Sequence, residues 1–161
     1  MIEIRNIEKY FRENHVLKNV SFTFEKGETN LIIGESGSGK TTLLKILVGL
    51  HKKDQGAVLF NGEDVSKMNS KELRMLRKEI GMLFQGAALY DYMTVEENIM
   101  FPLTMFTNKS ASEMLERVNF CLKRVNLKGK NNLMPSEISG GMKKRVAIAR
   151  AIVMEPKYLF C

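Results

Sequence analysis

The sequence has few cysteines and no long hydrophobic run. Its 161 residues include only Cys121 and Cys161, which are too few for a disulfide framework and lack metal-ligand spacing. No uninterrupted apolar run approaches the roughly 18–20 residues of a membrane-spanning helix. The first residues alternate between apolar and charged side chains, unlike a secretory signal peptide. These absences exclude a disulfide-stapled secreted domain, an integral membrane protein and a zinc module. They predict a single domain in a reducing, cytoplasmic setting.

The net charge is positive, but the basic residues are scattered. The chain has 25 Lys and Arg against 18 Asp and Glu, a net charge of +7. This balance permits nucleic acid, an anionic membrane surface or phosphate ligands as partners. The densest basic runs, residues 51–53 and 143–145, contain no interleaved aromatic residues. An ordinary solvated surface explains the charge equally simply, so charge alone selects no partner.

Hydrophobic periodicity predicts a mixed α/β chain. Alternating patterns indicate strands near the N-terminus, over residues 16–24 and over residues 56–60, the last closing in an Asn-Gly turn. Two short apolar runs are typical of strands buried in a parallel sheet, residues 30–33 and 80–84. Ser70 and Thr94 are expected helix N-caps, and Cys121 is expected in a helical core. Helices are predicted over residues 40–50, 70–78, 94–101, 110–125 and 140–153.

A glycine-rich segment follows the first of the two short apolar runs. It matches the pattern G-x-x-x-x-G-K-[ST] at every position, with Gly34, Glu35, Ser36, Gly37, Ser38, Gly39, Lys40 and Thr41. Glycines let backbone N–H groups converge on phosphate oxygens at a helix N-terminus. Lys40 supplies a positive charge for the β- and γ-phosphates, and the Thr41 hydroxyl suits Mg²⁺. The sequence therefore predicts a nucleotide phosphate site here, extending to Thr42.

Three further motifs resemble those of ABC-transporter ATPases. Residues 138–151, which begin Ile-Ser-Gly-Gly-Met, resemble the family's signature motif. Phe84-Gln85 resembles its Q-loop, and Phe11, shortly before residues 16–20, resembles its adenine-stacking aromatic residue. The motifs occur in the family's order and span essentially the whole chain, which is therefore identified as a member of this family.

The resemblance implies an α/β P-loop NTPase fold with an antiparallel N-terminal β-subdomain and a helical subdomain. Within a single domain, the nucleotide-binding core and β-subdomain would occupy about residues 1–85 and the helical subdomain about 86–138. The signature helix and the start of the next core strand would occupy about 139–161. Family members continue from this strand into an Asp-Glu pair that serves Mg²⁺ and the attacking water. We therefore expect a C-terminally truncated chain with an incomplete core sheet, which binds ATP but hydrolyses it poorly, whereas the intact protein is an ATPase.

The resemblance also assigns roles to individual residues. Lys40 and Gln85 are the expected catalytic residues, and Thr41 and Gln85 the expected Mg²⁺ ligands. Phe11 would stack on the adenine with Val16 packed beside it. Two alternatives stay open, in which Tyr10 is the stacking residue or Phe11 belongs to the core.

The signature motif implies a second copy of the chain. Ser139, Gly140 and Gly141 would contact the γ-phosphate bound by the partner of a head-to-tail homodimer. Arg145 and Arg150, later in the same helix, are either functional or plain surface charges.

A membrane permease is the other implied partner, docking on the stretch after Gln85. Three methionines could form a pliable apolar surface there or simply fill the core, namely Met93, Met100 and Met105. The cofactors that the resemblance implies are ATP and Mg²⁺. A permease partner implies a position on the inner face of the cytoplasmic membrane. No nucleic-acid partner is expected.

A narrower resemblance points to the ATPases of Mla/Mce-type phospholipid transporters. It rests on Met142 in the signature, on residues 81–90 and 133–137, and on Asn98, Pro102 and Leu103. It implies ATP-driven phospholipid transport in the bacterial cell envelope. The alternatives are the ATPase of another ABC importer or exporter, and a soluble ABC protein that acts on nucleic acid or ribosomes.

Overall fold

A computed structural model describes residues 1–84 and 86–161, so the predicted site residue Gln85 lies outside the described residues. The chain divides into two compact units, Met1–Arg74 and Met75–Cys161. In the part of the chain that the structure describes, no helix has the length and hydropathy needed to cross a membrane.

The first unit is built on a four-stranded antiparallel sheet in the order β2-β1-β3-β4. The strands are β1 (Ile2–Phe11), β2 (Asn14–Phe24), β3 (Gln55–Phe60) and β4 (Glu63–Asp64). β1 lies between β2 and β3, and its residue Ile2 faces both Phe24 and Phe60. The predicted Asn-Gly turn joins β3 to β4, with φ of 51° at Asn61 and 87° at Gly62.

Helix α1 (Lys40–Leu47) also belongs to the first unit. It buries Leu43, Ile46 and Leu47, so the predicted amphipathic face is present. The helix is shorter than the predicted span 40–50, because the chain turns into a positive φ of 72° at Gly49.

The buried strand predicted over residues 30–33 is wrong for the described structure. Neither of the two described sheets includes this segment, and the side chains of Leu31 and Ile33 are 80% and 81% exposed. An apolar run becomes a buried strand only where neighbouring strands accept its backbone hydrogen bonds and cover its side chains. None of the described strands does so here.

Helix α2 (Ser70–Lys78) is capped by a different residue from the predicted Ser70. The Asn69 side-chain oxygen accepts hydrogen bonds from the N–H groups of Lys71 and Glu72, at 2.9 and 3.0 Å. The Glu72 carboxylate in turn accepts from the Asn69 N–H at 2.8 Å. Asn69 therefore caps the helix, because Ser70 is already its first helical residue.

The second unit packs three helices around one apolar core. They are α3 (Val95–Phe106), α4 (Ala111–Arg124) and α5 (Gly140–Ile152). Thr94 and Ser110 begin α3 and α4 with capping boxes closed by Glu97 and Glu113. Cys121 is fully buried in the core, as predicted, and burial raises the pKa of its thiol.

Beside these helices lie the two strands of a short parallel sheet. β5 (Ile80–Met82) pairs with β6 (Tyr158–Phe160), with Gly81 opposite Leu159. The strand predicted over residues 80–84 is therefore present but ends at Met82. Gly81 is its buried residue, and a Cβ there would clash with the carbonyl oxygen of Ala151 in α5.

Candidate functional site

The glycine-rich segment of the first unit forms a tight loop that leads into α1. Its residues 34–38 are exposed, and the backbone adopts positive φ at Gly37 (84°) and Gly39 (91°). A Cβ at Gly39 would lie 2.9 Å from the side chain of Leu17 and 3.1 Å from the carbonyl oxygen of Val16. Glycine is therefore required at this position by both conformation and space. Val16 therefore lies against the loop, whereas its expected packing beside Phe11 stays a prediction.

Lys40 spans this loop with its ammonium group. Its Nζ donates hydrogen bonds to the carbonyl oxygens of Gly34 and Glu35, at 2.7 and 2.6 Å, and lies 3.5 Å from the Ser38 Oγ. Lys40 is the first residue of α1, followed by the exposed Thr41 and the half-buried Thr42. The positive charge and two hydroxyls are thus gathered at one helix N-terminus.

The N-terminus of α1 differs from those of α3, α4 and α5. Thr94, Ser110 and Ser139 cap the latter three with side-chain oxygens. At α1 the N-cap is Gly39, which has no side chain to accept a hydrogen bond, and the first turn has no acidic residue. The first backbone N–H groups and the positive helix dipole are therefore left for an anion. Together with the Lys40 ammonium and the Thr41 hydroxyl, these donors fit a phosphate chain and its Mg²⁺.

Phe11 lies at the end of β1 and is 44% exposed, so it is not a core residue. Its ring makes an edge contact with His51, 5.9 Å between ring centres, and the Lys9 ammonium lies 5.2 Å from the ring centre. Tyr10 is stacked on His15 at 4.1 Å. Of the two candidate stacking residues, Tyr10 is therefore already engaged in a parallel stack, whereas the ring contact described for Phe11 is an edge contact.

The signature residues lie in the second unit, at the start of α5. The Ser139 Oγ accepts a hydrogen bond from the Met142 N–H at 3.3 Å. Gly140 and Gly141 are exposed, and a Cβ at Gly140 would meet no atom of the described chain within 4 Å. Packing within this chain therefore does not explain why glycine occupies position 140.

The two arginines of α5 have different environments. Arg145 is exposed, as a surface charge would be. Arg150 is half-buried and donates hydrogen bonds to the carbonyl oxygens of Ala87 and Ala88, at 2.8 and 2.9 Å. Burial lowers the pKa of Arg150, although the guanidinium stays charged at neutral pH. Sequence reasoning left its role open, because its partners are more than 60 positions away.

The second unit also contains a cavity of about 490 Å³ beside the segment that follows residue 85. Its lining is mainly apolar with a basic margin, and includes Phe84, Ala88, Tyr90, Phe101, Pro102, Phe106, Arg77, Lys78 and Arg150. Of the two alternatives for Met93, Met100 and Met105, an apolar surface here or filling of the core, the first is not seen in this cavity, since none of the three is among its described lining residues. Met100 instead packs against the helical core.

Comparison with known proteins is consistent with these features. The family model for the ABC transporter matches residues 17–161. The methionine import ATP-binding protein MetN of Clostridioides difficile is 44% identical over 161 residues, which are 100% of this chain and 50% of that protein. TRIGALACTOSYLDIACYLGLYCEROL 3, a chloroplastic protein of Arabidopsis thaliana, is 44% identical over 96% of this chain and 45% of its own length. The chain therefore spans about half the length of the curated relatives it matches.

A solved structure matches with a TM-score of 0.90 and 34% identity, over 99% of this chain and 72% of the other. It is the dimeric, post-hydrolysis state of the ATP-binding cassette MJ0796 bound to ADP and Pi. This match confirms the fold class predicted from the sequence. The methionine import relative does not support the narrower expectation of phospholipid transport, and it agrees better with the alternative of another ABC importer.

Proposed function

The chain belongs to the ABC transporter family, and from that premise we propose that it is the ATP-binding part of an ATPase subunit that drives an ABC importer. Family membership implies an ATPase that binds nucleotide with Mg²⁺. The observation that carries the proposal is the uncapped N-terminus of α1 with the Lys40 ammonium across the loop.

In this proposal the loop binds the phosphate chain of ATP. Lys40 contacts the phosphate oxygens, and the backbone N–H groups of the loop hold the chain in place. Mg²⁺, when bound, neutralises phosphate charge, and Thr41 and Gln85 are its proposed protein ligands. Phe11 offers its ring to the adenine, and Val16 packs beside it.

A second copy of the chain is the proposed partner for the N-terminus of α5. Ser139, Gly140 and Gly141 would meet the γ-phosphate held by the other copy. The support is the open space around Gly140 and the dimeric state of the similar MJ0796 cassette. An exposed glycine without a packing role within its own chain suits close approach by another molecule.

A helix of a membrane permease is the proposed occupant of the cavity in the second unit. Its lining includes Ala88 and Tyr90 from the segment after residue 85, and it combines aromatic walls with basic residues at its margin. An amphipathic helix with an apolar face and acidic flanks would match this lining. The proposal places the protein at the cytoplasmic face of a membrane, and it includes no nucleic-acid partner.

Methionine or a related small amino acid is the first candidate cargo, from the methionine import relative. Phospholipid is the second candidate. It rests on the sequence likeness to Mla/Mce-type ATPases, and the Arabidopsis protein, also 44% identical, is named for a lipid of another class, a galactolipid. Loss of the intact protein from its host separates the two. If methionine is the cargo, the host without the protein should no longer take up labelled methionine. If uptake is unchanged but the distribution of envelope phospholipids is altered, phospholipid is the cargo.

The nucleotide site is tested by titrating the chain with MgATP and comparing Lys40→Ala with Lys45→Ala. Both changes remove one positive charge from α1, but Lys45 lies in the last turn, away from the loop. Loss of a charge-assisted contact of about 1.5–3 kcal/mol should weaken MgATP binding roughly 10- to 150-fold in the Lys40 variant. The Lys45 variant should bind within about twofold of the unsubstituted chain. If both variants bind MgATP with equal affinity, or if the unsubstituted chain does not bind MgATP, the proposed nucleotide site is wrong.

A further inference from the structure

We propose that Arg150 is a positioning residue that fixes the segment directly after Gln85 to the signature helix α5. The inference rests on the proposed function, since the segment directly follows Gln85, a proposed Mg²⁺ ligand. It assigns Arg150 no contact with nucleotide. Its action is through the backbone of residues 86–90.

The first support is the geometry of the arginine itself. The two terminal nitrogens of Arg150 donate to two consecutive carbonyl oxygens, Nη2 to Ala87 at 2.8 Å and Nη1 to Ala88 at 2.9 Å. The planar guanidinium matches such a pair of acceptors, which a lysine ammonium cannot do in the same way. The same group lies 6.0 Å from the ring centre of Tyr90.

The second support is the backbone that Arg150 holds. Gly86, Ala87 and Ala88 all have positive φ, at 88°, 66° and 49°. This conformation is unfavourable for alanine, so two successive alanines keep it only where the surroundings impose it. Ala87 is buried, and Arg150 donates to its carbonyl oxygen and to that of Ala88. The arginine is therefore in the right place to impose this conformation.

The third support is where the fixed segment lies in the chain. It begins immediately after Gln85, the expected Mg²⁺ ligand, and it ends at Tyr90, which lines the cavity proposed for the permease. Arg150 lies near the C-terminal end of α5, the helix that Ser139 caps. One side chain thus connects the signature helix, the segment after Gln85 and the cavity.

Arg117 offers a matched control within the same unit. Its guanidinium also donates to two consecutive carbonyl oxygens, those of Ile152 at 3.0 Å and Val153 at 2.9 Å. It also pairs with Glu155 at 3.0 Å. The chemistry is the same, but its carbonyl partners lie at the end of α5 and not in residues 86–90. Arg117→Ala should therefore remove a similar structural contact without releasing the segment after Gln85.

The experiment compares Arg150→Ala, Arg150→Lys and Arg117→Ala with the unsubstituted chain in two measurements. The first is amide hydrogen exchange over residues 86–90. It should speed up about tenfold or more in Arg150→Ala and stay unchanged in Arg117→Ala. The second is the ratio of the dissociation constants for ATP without Mg²⁺ and for MgATP. Only the magnesium complex gains from a correctly placed Gln85, the proposed Mg²⁺ ligand, so Arg150→Ala should lose about tenfold in this ratio.

Arg150→Lys should fall between the unsubstituted chain and Arg150→Ala, because lysine keeps the charge but cannot hold both carbonyls. If Arg150→Ala does not fold, the lysine variant carries the same comparison. A ratio that is unchanged in the Arg150 variants, or lowered equally by Arg117→Ala, would overturn the positioning role while leaving the nucleotide site intact. Failure of the unsubstituted chain to bind MgATP would overturn the proposed function, and this inference with it.

Discussion

Replacing Asn98 tests how the loop before α3 is held. Asn98 is fully buried, and its side-chain oxygen accepts a hydrogen bond from the Tyr90 N–H at 2.8 Å. Its side-chain nitrogen lies 3.0 Å from the carbonyl oxygens of Tyr90, Met93 and Thr94, which share its two N–H groups. One amide therefore closes residues 90–94 onto the first turn of the helix.

The cost of Asn98→Ala follows from which groups lose a partner. The carbonyl oxygen of Tyr90 still accepts from the Met93 N–H, and that of Thr94 still accepts from the backbone N–H of position 98. The Tyr90 N–H and the Met93 carbonyl lose their contact with Asn98. An unpaired group costs about 1–3 kcal/mol, and Tyr90 and Met93 are only partly buried, so each loss falls in the lower half of this range and the two together are about 3 kcal/mol.

Asn98→Asp has nearly the same shape but should show a distinct dependence on pH. It places a carboxylate oxygen against the three carbonyl oxygens, so burial and repulsion raise its pKa in the folded state above that of the unfolded chain. A group with a raised folded-state pKa contributes stability that is fully present below its unfolded pKa, about 3.9. That stability is lost as the pH rises through the folded pKa. The variant should therefore approach the unsubstituted chain in acid and fall furthest behind it at neutral pH and above.

Urea unfolding followed by far-UV circular dichroism measures both effects. With a denaturant dependence of about 2 kcal/mol per molar urea, a loss of about 3 kcal/mol lowers the midpoint by about 1.5 M. Asn98→Ala should show this shift at every pH, whereas the shift for Asn98→Asp should grow between acid and neutral pH. An Asn98→Asp midpoint equal to that of the unsubstituted chain at pH 8 would refute the reasoning. So would a shift that does not change with pH.

Two further predictions concern glycine geometry and thiol burial. Gly56 and Gly62 have nearly equal φ, 88° and 87°, but a Cβ at Gly56 would clash with the Arg5 carbonyl oxygen, whereas a Cβ at Gly62 would meet no atom of the described residues within 4 Å. Gly62→Ala should cost about 1 kcal/mol in the free energy of unfolding and Gly56→Ala about 1–3 kcal/mol more, and equal urea midpoints would contradict this. In the native chain, a disulfide reagent should react quickly with the exposed Cys161 but not with the buried Cys121, whose pKa burial raises. Both thiols should react in urea, and two fast thiols in the native chain would show that the helical core opens readily.

Elements with short-range signals could be predicted from the sequence. Thr94 with Glu97 and Ser110 with Glu113 form capping boxes within four residues, so the starts of α3 and α4 need no tertiary information. The Asn-Gly turn after β3 is equally local. At α2 two adjacent residues compete for the cap, and the side chain of Asn69 reaches the helix N–H groups. Propensity alone does not decide between Asn69 and Ser70.

Elements that depend on distant partners could not be predicted. Residues 30–33 have the composition of a buried strand, but whether they form one depends on neighbours that a local pattern does not contain. In the candidate site, the loop around Lys40 follows from its motif, because the chemistry constrains eight successive positions. Arg150 is different, because its partners Ala87 and Ala88 lie in another segment. Nothing in the sequence around either end reports the contact.

The position of β1 in the middle of its sheet also sets an order of events during synthesis. β1 and β2 are joined by a short turn and can pair as soon as both have left the ribosome, but the other edge of β1 must wait for β3. At about 5–20 residues per second, the roughly 50 residues from the end of β1 to the end of β3 take about 2.5–10 seconds. The loop around Lys40, which is proposed to bind phosphate, lies within that stretch. The nascent chain therefore exposes an unpaired edge of β1 for several seconds, and during this interval a chaperone that covers strand edges would have the largest effect.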